Sequence, residues 1–164
     1  GGEDSGGECG TPTQARFTMP TPSRKQEDGW WSLDIGSVHL VAMFTEVPCG
    51  RGSSQYEFLA SDLAAVNRSV TPWLVVAGHR PSYAVGGTGS DGPDRTDAFC
   101  DGAADIEPLL MEHHVDLAIW GHVHNALQTC AVYNGTCVSS AGADGYDAPV
   151  HVVIGNGGQS LSGV

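Results

Sequence analysis

The segments TPWLVVAGHRPSY (residues 71–83) and VDLAIWGHVHN (residues 115–125) decide the fold of this 164-residue chain. Each contains a short uninterrupted apolar run, WLVVA at 73–77 and LAIW at 117–120, of the kind found in buried strands. Each run ends in a glycine followed at once by a histidine. The two segments therefore predict neighbouring strands of one sheet, each with a histidine at its carboxyl end.

Helix and strand patterns alternate around these two runs. Strands are expected at Trp30–Ile35, Val38–Phe44, 73–77, 117–120, Leu127–Tyr133 and Val150–Ile154. Apolar residues at helical spacing predict helices over Gln55–Val66 and Asp105–His114, the first with Ser53 or Ser54 as its N-cap. Gly36 and Ser37 separate the first two strands and predict a hairpin. The alternation is typical of a layered α/β domain.

The net charge of the chain excludes several functions. Nineteen Asp and Glu residues against seven Lys and Arg residues give a formal net charge of −12. An acidic surface repels phosphate backbones and anionic lipid, so no nucleic-acid or membrane-surface role is expected.

No apolar run approaches the ~18 residues of a membrane-spanning helix. No Walker lysine follows the glycine-rich stretches and no Gly-x-Ser-x-Gly elbow occurs, which argues against nucleotide cradles and serine hydrolases.

The cysteines and glycosylation sequons favour an oxidising compartment. Cys130 and Cys137 bracket AVYNGT, whose Asn-Gly turn predicts a hairpin that brings the two thiols into a disulfide. Asn67 and Asn134 each begin an N-glycosylation sequon and are expected to be exposed at turns. A sequon inside a disulfide loop favours secretion, whereas a cytosolic protein with buried thiols is the alternative. The pairing of the other three cysteines stays open: Cys9, Cys49 and Cys100.

Three of the seven histidines follow the two buried strands. His79 comes directly after WLVVAG, and His122 and His124 come directly after LAIWG. The carboxyl ends of strands are where sites form in open α/β sheets. In extended backbone, residues i and i+2 point to the same side, and Gly78 and Gly121 are expected to let the backbone turn sharply. Three converging imidazoles predict a site for Zn, Fe or Mn, and ordinary loop histidines are the alternative.

The remaining histidines are interpreted as structural. His39 lies in an apolar strand pattern and is expected to be a hydrogen-bonded core or edge residue. His113 and His114 close the second predicted helix, where a partly charged ring interacts favourably with the helix dipole. His151 opens the last predicted strand.

Together these segments resemble the catalytic domain of purple acid phosphatases, within the calcineurin-like metallophosphoesterases. The matching segments follow the family order: SGGECG (5–10), WWSLDIGSVHLVAMFTE (30–46), VNRSVTPWLVVAGHRPSY (66–83), IEPLL (106–110), VDLAIWGHVHN (115–125), TCAVYNGTC (129–137) and PVHVVIGNGG (149–158). The resemblance implies an α/β fold, a layered metallophosphoesterase-type β-sandwich flanked by helices, present here as a partial domain. Residues 1–164 would form the C-terminal portion of that catalytic domain.

The resemblance also implies the ligand roles. His79 and His122 would bind a divalent metal (Zn, Mn or Fe), and His124 would bind Fe(III). The family's other ligands are a bridging Asp, a second Asp, a Tyr and an Asn, and all are expected upstream of residue 1. Residues 126–128 read Ala-Leu-Gln where the family often has Tyr-Glu-Arg, and residues 84–97 lack the His that small relatives carry. No catalytic acid or base is therefore assigned.

Two functions follow from this resemblance. The first is a secreted binuclear-metal acid phosphatase that hydrolyses phosphate mono- or diesters, or diphosphonucleotides, and carries N-glycans. The second is a non-catalytic extracellular structural glycoprotein on the same fold, in a homo-oligomer or larger assembly. The expected location is extracellular, vacuolar or in the cell wall. The isolated chain is expected to be colourless and inactive.

Overall fold

The computed structural model describes residues 15–18, 20, 29–84, 94–95, 99–100, 103–139 and 145–157. The strands are β1 (Trp31–Ile35), β2 (Val38–Ala42), β3 (Trp73–Ala77), β4 (Tyr83–Ala84), β5 (Asp94–Arg95), β6 (Leu117–Trp120), β7 (Ala126–Tyr133), β8 (Thr136–Cys137) and β9 (Val150–Ile154). The helices are α1 (Ser54–Ala65) and α2 (Ala103–Glu112). Within these ranges no helix has the length and apolar character needed to span a membrane.

Seven strands form one mixed sheet in the order β1-β2-β3-β6-β9-β7-β8. The four central strands, β2, β3, β6 and β9, run parallel to one another. On one side β1 pairs antiparallel with β2, which confirms the predicted hairpin, and on the other side β7 pairs antiparallel with β9. Helix α1 connects β2 to β3, and α2 lies between β3 and β6 in the chain. The α/β alternation predicted from the sequence is confirmed.

Helix α1 begins at its cap and buries one side. The Ser53 hydroxyl accepts a hydrogen bond from the backbone N–H of Tyr56 at 3.1 Å, which satisfies one of the unpaired donors of the first turn. Tyr56, Leu59 and Leu63 are all buried at helical spacing. The helix thus starts one residue before the predicted position and ends one residue earlier.

Helix α2 is shifted towards the N-terminus relative to the prediction. It begins at Ala103, so Pro108 lies in the second turn rather than the first. It ends at Glu112 because His114 adopts a positive φ of 54° and the N–H of Val115 donates to the carbonyl of Leu110. This six-to-one bond is the pattern of a Schellman C-cap. His113 and His114 are therefore in the C-terminal cap and not in the helix.

One face of the sheet carries the core. Val41, Val76 and Ala118 stand side by side on β2, β3 and β6, and all three have no exposed surface. Trp120 and Val153 form the next cross-strand pair on the same face. The helices contribute the other side of this apolar cluster: Tyr56, Leu59, Leu63, Ile106, Leu109 and Leu110. Both helices are therefore held to the sheet through the same core.

The opposite face of the central strands, here called the open face, is also apolar but less buried. Its residues alternate with those of the core: Leu40, Ala42, Val75, Ala77, Leu117, Ile119, Val150 and Val152. None of these eight is buried, and on the same face Trp73 is 57% and Ile154 59% exposed. Parallel strands are ordinarily covered on both faces. The burial predicted for both faces of WLVVA and LAIW is thus complete on the helix face alone.

Two disulfides cross-link the described residues. Cys130 and Cys137 are bonded across the β7–β8 hairpin with their Cα atoms 5.7 Å apart, which confirms the predicted pair. Cys49, in the loop before α1, is bonded to Cys100, which lies just before α2. Both sulfur atoms of this second bridge belong to the core cluster. Cys9 lies outside the described residues.

Candidate functional site

Two adjacent parallel strands position the first two candidate ligands. His79 follows β3, His122 follows β6, and these strands pair in parallel register. Beyond the strands, Gly78 N–H donates to Ile119 O at 3.0 Å and Gly121 N–H donates to His79 O at 2.9 Å. These bonds continue the strand pairing through both glycines. The two histidines therefore lie next to each other at the carboxyl edge of the sheet.

The side chains of His79 and His122 meet there. Nε2 of His79 and Nδ1 of His122 are 3.1 Å apart, and the rings are edge to face with centroids 4.9 Å apart. Two nitrogens that share one tetrahedral cation at Zn–N distances of about 2.0–2.1 Å lie about 3.3 Å apart. Both rings are exposed. The pair has the spacing and access that two ligands of one metal ion require.

The backbone that carries His122 and His124 is not extended. His122 has a positive φ of 65°, and Val123 N–H donates to Gly121 O at 2.7 Å. Asn125 N–H then donates to Val123 O at 2.8 Å, so two three-residue turns follow one another. The expectation that the His-x-His backbone is extended was therefore wrong. A positive φ at a non-glycine residue is a strained conformation, and such strain concentrates at functional sites.

Gly155 supports this strained loop from the end of β9. Its N–H donates to Asn125 O at 3.0 Å, and a Cβ atom added to it would lie only 1.7 Å from Val123 O. Gly78 is also required for space, because an added Cβ would lie 2.8 Å from the Trp120 ring. Neither Gly78 nor Gly121 has a positive φ. Gly78 thus permits close packing, whereas a Cβ on Gly121 would make only an ordinary contact with His79, and neither glycine needs the left-handed conformation for a sharp turn.

A salt bridge between Glu46 and Arg80, which no sequence motif indicates, flanks the histidine pair. Nε of Arg80 donates to Glu46 Oε1 at 2.8 Å. This hydrogen bond is the main cause that lowers the pKa of Glu46, and the charges of His79 and His122 lower it further. Burial lowers the pKa of His122, and the charges of Arg80 and His79 add to the effect. The only feature of the sequence that could have indicated this salt bridge was the position of Thr45 and Glu46 just beyond a predicted strand.

The histidines interpreted as structural have structural contacts. His39 lies on β2, inside the sheet, and bridges Asp34 at 2.6 Å and Asp62 at 2.9 Å. His151 is 2% exposed and accepts a hydrogen bond from Trp120. The ring of His114 stacks on the Tyr146 ring with centroids 4.4 Å apart. The contacts confirm the structural interpretation of His39, His114 and His151.

The described residues do not form a complete metal site by themselves. Within them no three His, Cys, Asp or Glu side chains are grouped closely enough to hold a metal ion. The structure thus brings His79 and His122 together, and His124, whose charge acts on His122, does not complete a three-residue group with them. Beside His124, the Asn125 side-chain oxygen is buried without a hydrogen-bond partner in the described ranges. Imidazole donors suit Zn, Fe or Mn, and completing the shell requires donors from beyond these residues.

Residues 13–126 match the sequence profile of the calcineurin-like phosphoesterases, and the chain belongs to that family. The probable inactive purple acid phosphatase 9 of Arabidopsis thaliana is 41% identical over 167 aligned residues, covering 96% of this chain and 24% of that protein. Acid phosphatase A of Cryphonectria parasitica is 37% identical over 155 aligned residues, covering 82% of this chain and 29% of that protein.

A solved structure agrees with the fold. The purple acid phosphatase from yellow lupin (Lupinus luteus) seeds superposes with a TM-score of 0.78 at 33% identity, covering 98% of this chain and 28% of that one. The mixed sheet with few helices is therefore the purple acid phosphatase fold. The chain spans about a quarter of the length of these relatives. Homology to purple acid phosphatases implies a binuclear metal centre.

Proposed function

We propose that this chain is the C-terminal portion of the catalytic domain of a binuclear-metal acid phosphatase. Its substrates are phosphate mono- or diesters or diphosphonucleotides. The observation that carries the proposal is the approach of His79 Nε2 to His122 Nδ1 at 3.1 Å, at the carboxyl edge of two parallel strands. Family membership and the acid phosphatases among the relatives support the same conclusion.

In this proposal His79 and His122 bind the divalent metal, and His124 binds Fe(III). Such a centre, when bound, supplies an acidified water and positive charge for the attacking and leaving oxygens. The chain's own contribution is orientation. The bonds from Gly78 and Gly121 hold His79 and His122 edge to face, and Gly155 holds the loop that carries His124. The remaining ligands come from a part of the protein that this chain does not contain.

We place the protein outside the cytosol as a glycoprotein. Two disulfides support an oxidising compartment. Asn67 and Asn134 are both exposed, one in the turn after α1 and the other in the β7–β8 hairpin. Ser69→Ala and Thr136→Ala remove the sequons and keep both asparagines. Each variant, secreted from a eukaryotic host, should lose one glycan by intact mass, and a mass change no larger than the amino-acid replacement in both variants would contradict glycosylation.

One comparison favours a second function, a non-catalytic extracellular structural glycoprotein. The relative with 41% identity is named probable inactive. In this chain Ala126, Leu127 and Gln128 begin β7 where the family often has Tyr-Glu-Arg. A protein of this kind would keep the fold and the glycans without turnover, and would act in a homo-oligomer or assembly.

The two functions are separated by metal content and turnover of the full-length protein. The purified protein should contain two metal ions and hydrolyse a chromogenic phosphate ester at acidic pH. His79→Ala and His122→Ala should each lose divalent metal and reduce kcat by about 100-fold or more. His113→Ala, in the cap of α2, is the matched control and should change neither quantity. Stoichiometric metal without turnover would favour the structural glycoprotein, and absence of metal would contradict the acid phosphatase.

The isolated chain provides a separate test of the site. Residues 1–164 alone, supplied with Fe and Zn, should show neither colour nor turnover, because the tyrosinate and the bridging carboxylate are expected elsewhere. The open face should also make this chain prone to aggregation. Turnover comparable to that of the full-length protein would show that the site is misplaced.

A further inference from the structure

The segment that follows β2 is hydrogen-bonded to the segment that carries His79. Met43 N–H donates to Ala77 O at 2.7 Å, which extends the β2–β3 pairing beyond the strand ends. The hydroxyl of Thr45, which is 3% exposed, then accepts a hydrogen bond from Arg80 N–H at 2.9 Å. The backbone of Arg80 is therefore fixed by a buried side chain, directly beside the histidine pair.

The side chain of Arg80 is fixed as well, but on one side only. Its Nε donates to Glu46 Oε1 at 2.8 Å, and the two side chains are 35% and 31% exposed. Within the described part of the chain, no other acceptor contacts this guanidinium. Its terminal amino groups can therefore donate to a further anion in the plane that Glu46 sets. A guanidinium presents its N–H groups as a planar fork that matches phosphate oxygens.

Of the three arginines with an ion pair in the described residues, Arg80 is the one that lies beside the histidine pair. Arg51 pairs with Asp105 and Arg68 pairs with Asp116, on other parts of the surface. Arg80 follows His79 directly in the chain, and its charge acts on His122. The chain has a net charge of −12, which repels phosphate esters in general. A fixed cation beside the candidate ligands offsets that repulsion where a phosphoryl group would enter.

We propose that Arg80 binds the phosphoryl oxygens of the substrate at the histidine site and that Glu46 is the positioning residue that orients it. This inference rests on the proposed function, because it takes phosphate esters as the ligand. The guanidinium donates to the non-bridging oxygens, while Glu46 holds Nε and Thr45 holds the backbone. Since the fork is oriented before the ligand arrives, little conformational entropy is lost on binding.

The test uses the full-length, metal-loaded protein and inorganic phosphate as the probe, measured by calorimetric titration. Arg80→Ala should raise the Kd for phosphate by about 10- to 100-fold, since charge-assisted hydrogen bonds are lost. Arg80→Lys should lie between this variant and the wild type, because it keeps the charge and loses the fork. Arg51→Ala, which removes an equally charged residue paired elsewhere, should leave the Kd unchanged. Metal content should stay the same in all three variants.

Glu46 is tested through its coupling to Arg80. Glu46→Ala should change the phosphate Kd in the presence of Arg80 and have no effect in the Arg80→Ala background. Glu46→Gln keeps an oxygen acceptor for Nε and should stay near the wild type. An unchanged Kd in Arg80→Ala, or an equal loss in Arg51→Ala, would overturn the inference. Full additivity of Glu46→Ala and Arg80→Ala would overturn the positioning role.

Turnover separates this inference from the proposed function. If the wild type binds phosphate through Arg80 and hydrolyses no ester, the phosphatase proposal fails and the Arg80 assignment stands. If the wild type hydrolyses esters and Arg80→Ala changes neither KM nor the phosphate Kd, the Arg80 assignment fails and the phosphatase proposal stands. A wild type that binds metal and no phosphate overturns the assignment.

Discussion

The indole N–H of Trp120 donates a hydrogen bond to Nδ1 of His151 at 3.0 Å, between the neighbouring parallel strands β6 and β9. Both side chains are 2% exposed. Because Nδ1 accepts, the buried ring is neutral and carries its proton on Nε2. Burial lowers the pKa of His151 to about 4. Trp120 also precedes Gly121 and His122, so this buried pair supports the strand end that delivers a candidate ligand.

Removing the acceptor should destabilise the protein. His151→Phe leaves the Trp120 N–H buried and unpaired, which should cost about 1–3 kcal/mol of unfolding free energy, measured by urea denaturation at neutral pH. In the His151→Phe/Trp120→Phe double variant no donor is orphaned, so its cost should be smaller than the sum of the two single variants. Strict additivity would contradict the bond.

The same histidine predicts a pH dependence of stability. Its folded pKa of about 4 lies below the ordinary value of about 6.5. The unfolded state therefore takes up the proton first as the pH falls, so this contribution is complete above about pH 6.5 and is lost towards about pH 4. The stability of the wild type should fall over this interval more steeply than that of His151→Phe. Equal slopes would show that His151 titrates normally.

His39 should show the opposite dependence. Burial opposes its charged form, but the hydrogen bonds to Asp62 and Asp34 outweigh burial and raise the pKa. A raised folded pKa gives stability that is fully present below about pH 6.5 and is lost as the pH rises through the folded pKa. The advantage of wild type over His39→Gln in urea denaturation should therefore be larger at about pH 5 than at about pH 8. A constant difference would contradict the bridge between Asp34 and Asp62.

Two glycines two residues apart, Gly155 and Gly157, test the support of the His-x-His loop. Gly155→Ala places a Cβ against Val123 O, so the loop that carries His122 and His124 must shift, at a cost of about 1–3 kcal/mol. Metal content and turnover of the full-length protein should fall with it. Gly157→Ala, where an added Cβ meets nothing within 4 Å, should behave as the wild type. Equal behaviour of the two variants would contradict the close approach.

The two disulfides should differ in how much each contributes to the free energy of unfolding. Cys49–Cys100 has a sequence separation of 51 residues and Cys130–Cys137 a separation of 7. Loop entropy then gives about 4 kcal/mol for the long bridge and about 2.5 kcal/mol for the short one. Double Cys→Ser replacement at each bridge, compared by urea denaturation, should therefore destabilise more at 49 and 100. The reverse order would show that effects in the folded state outweigh the loop term.

Local patterns predicted most of the elements but not where α2 ends. The apolar runs 73–77, 117–120 and 150–154 have the same bounds in the structure, because each run is short and is flanked on both sides by a glycine, a proline or a charged residue. The end of α2 depends on the left-handed conformation of His114, whose ring stacks on Tyr146 more than 30 positions later in the chain. A contact of that range leaves no trace in the local apolar pattern.

The sequence alone determined the α/β alternation, the Cys130–Cys137 hairpin and the placement of His79 and His122 directly after two strands, because each depends on residues close together in the chain. Tertiary structure decided what depends on distant segments. It placed Glu46 against Arg80, and it set Gly155 beneath the His-x-His loop, where the backbone is turned and not extended. These contacts form only when β2, β3, β6 and β9 align at one edge of the sheet. Sequence spacing carries no information about which strand ends will meet there.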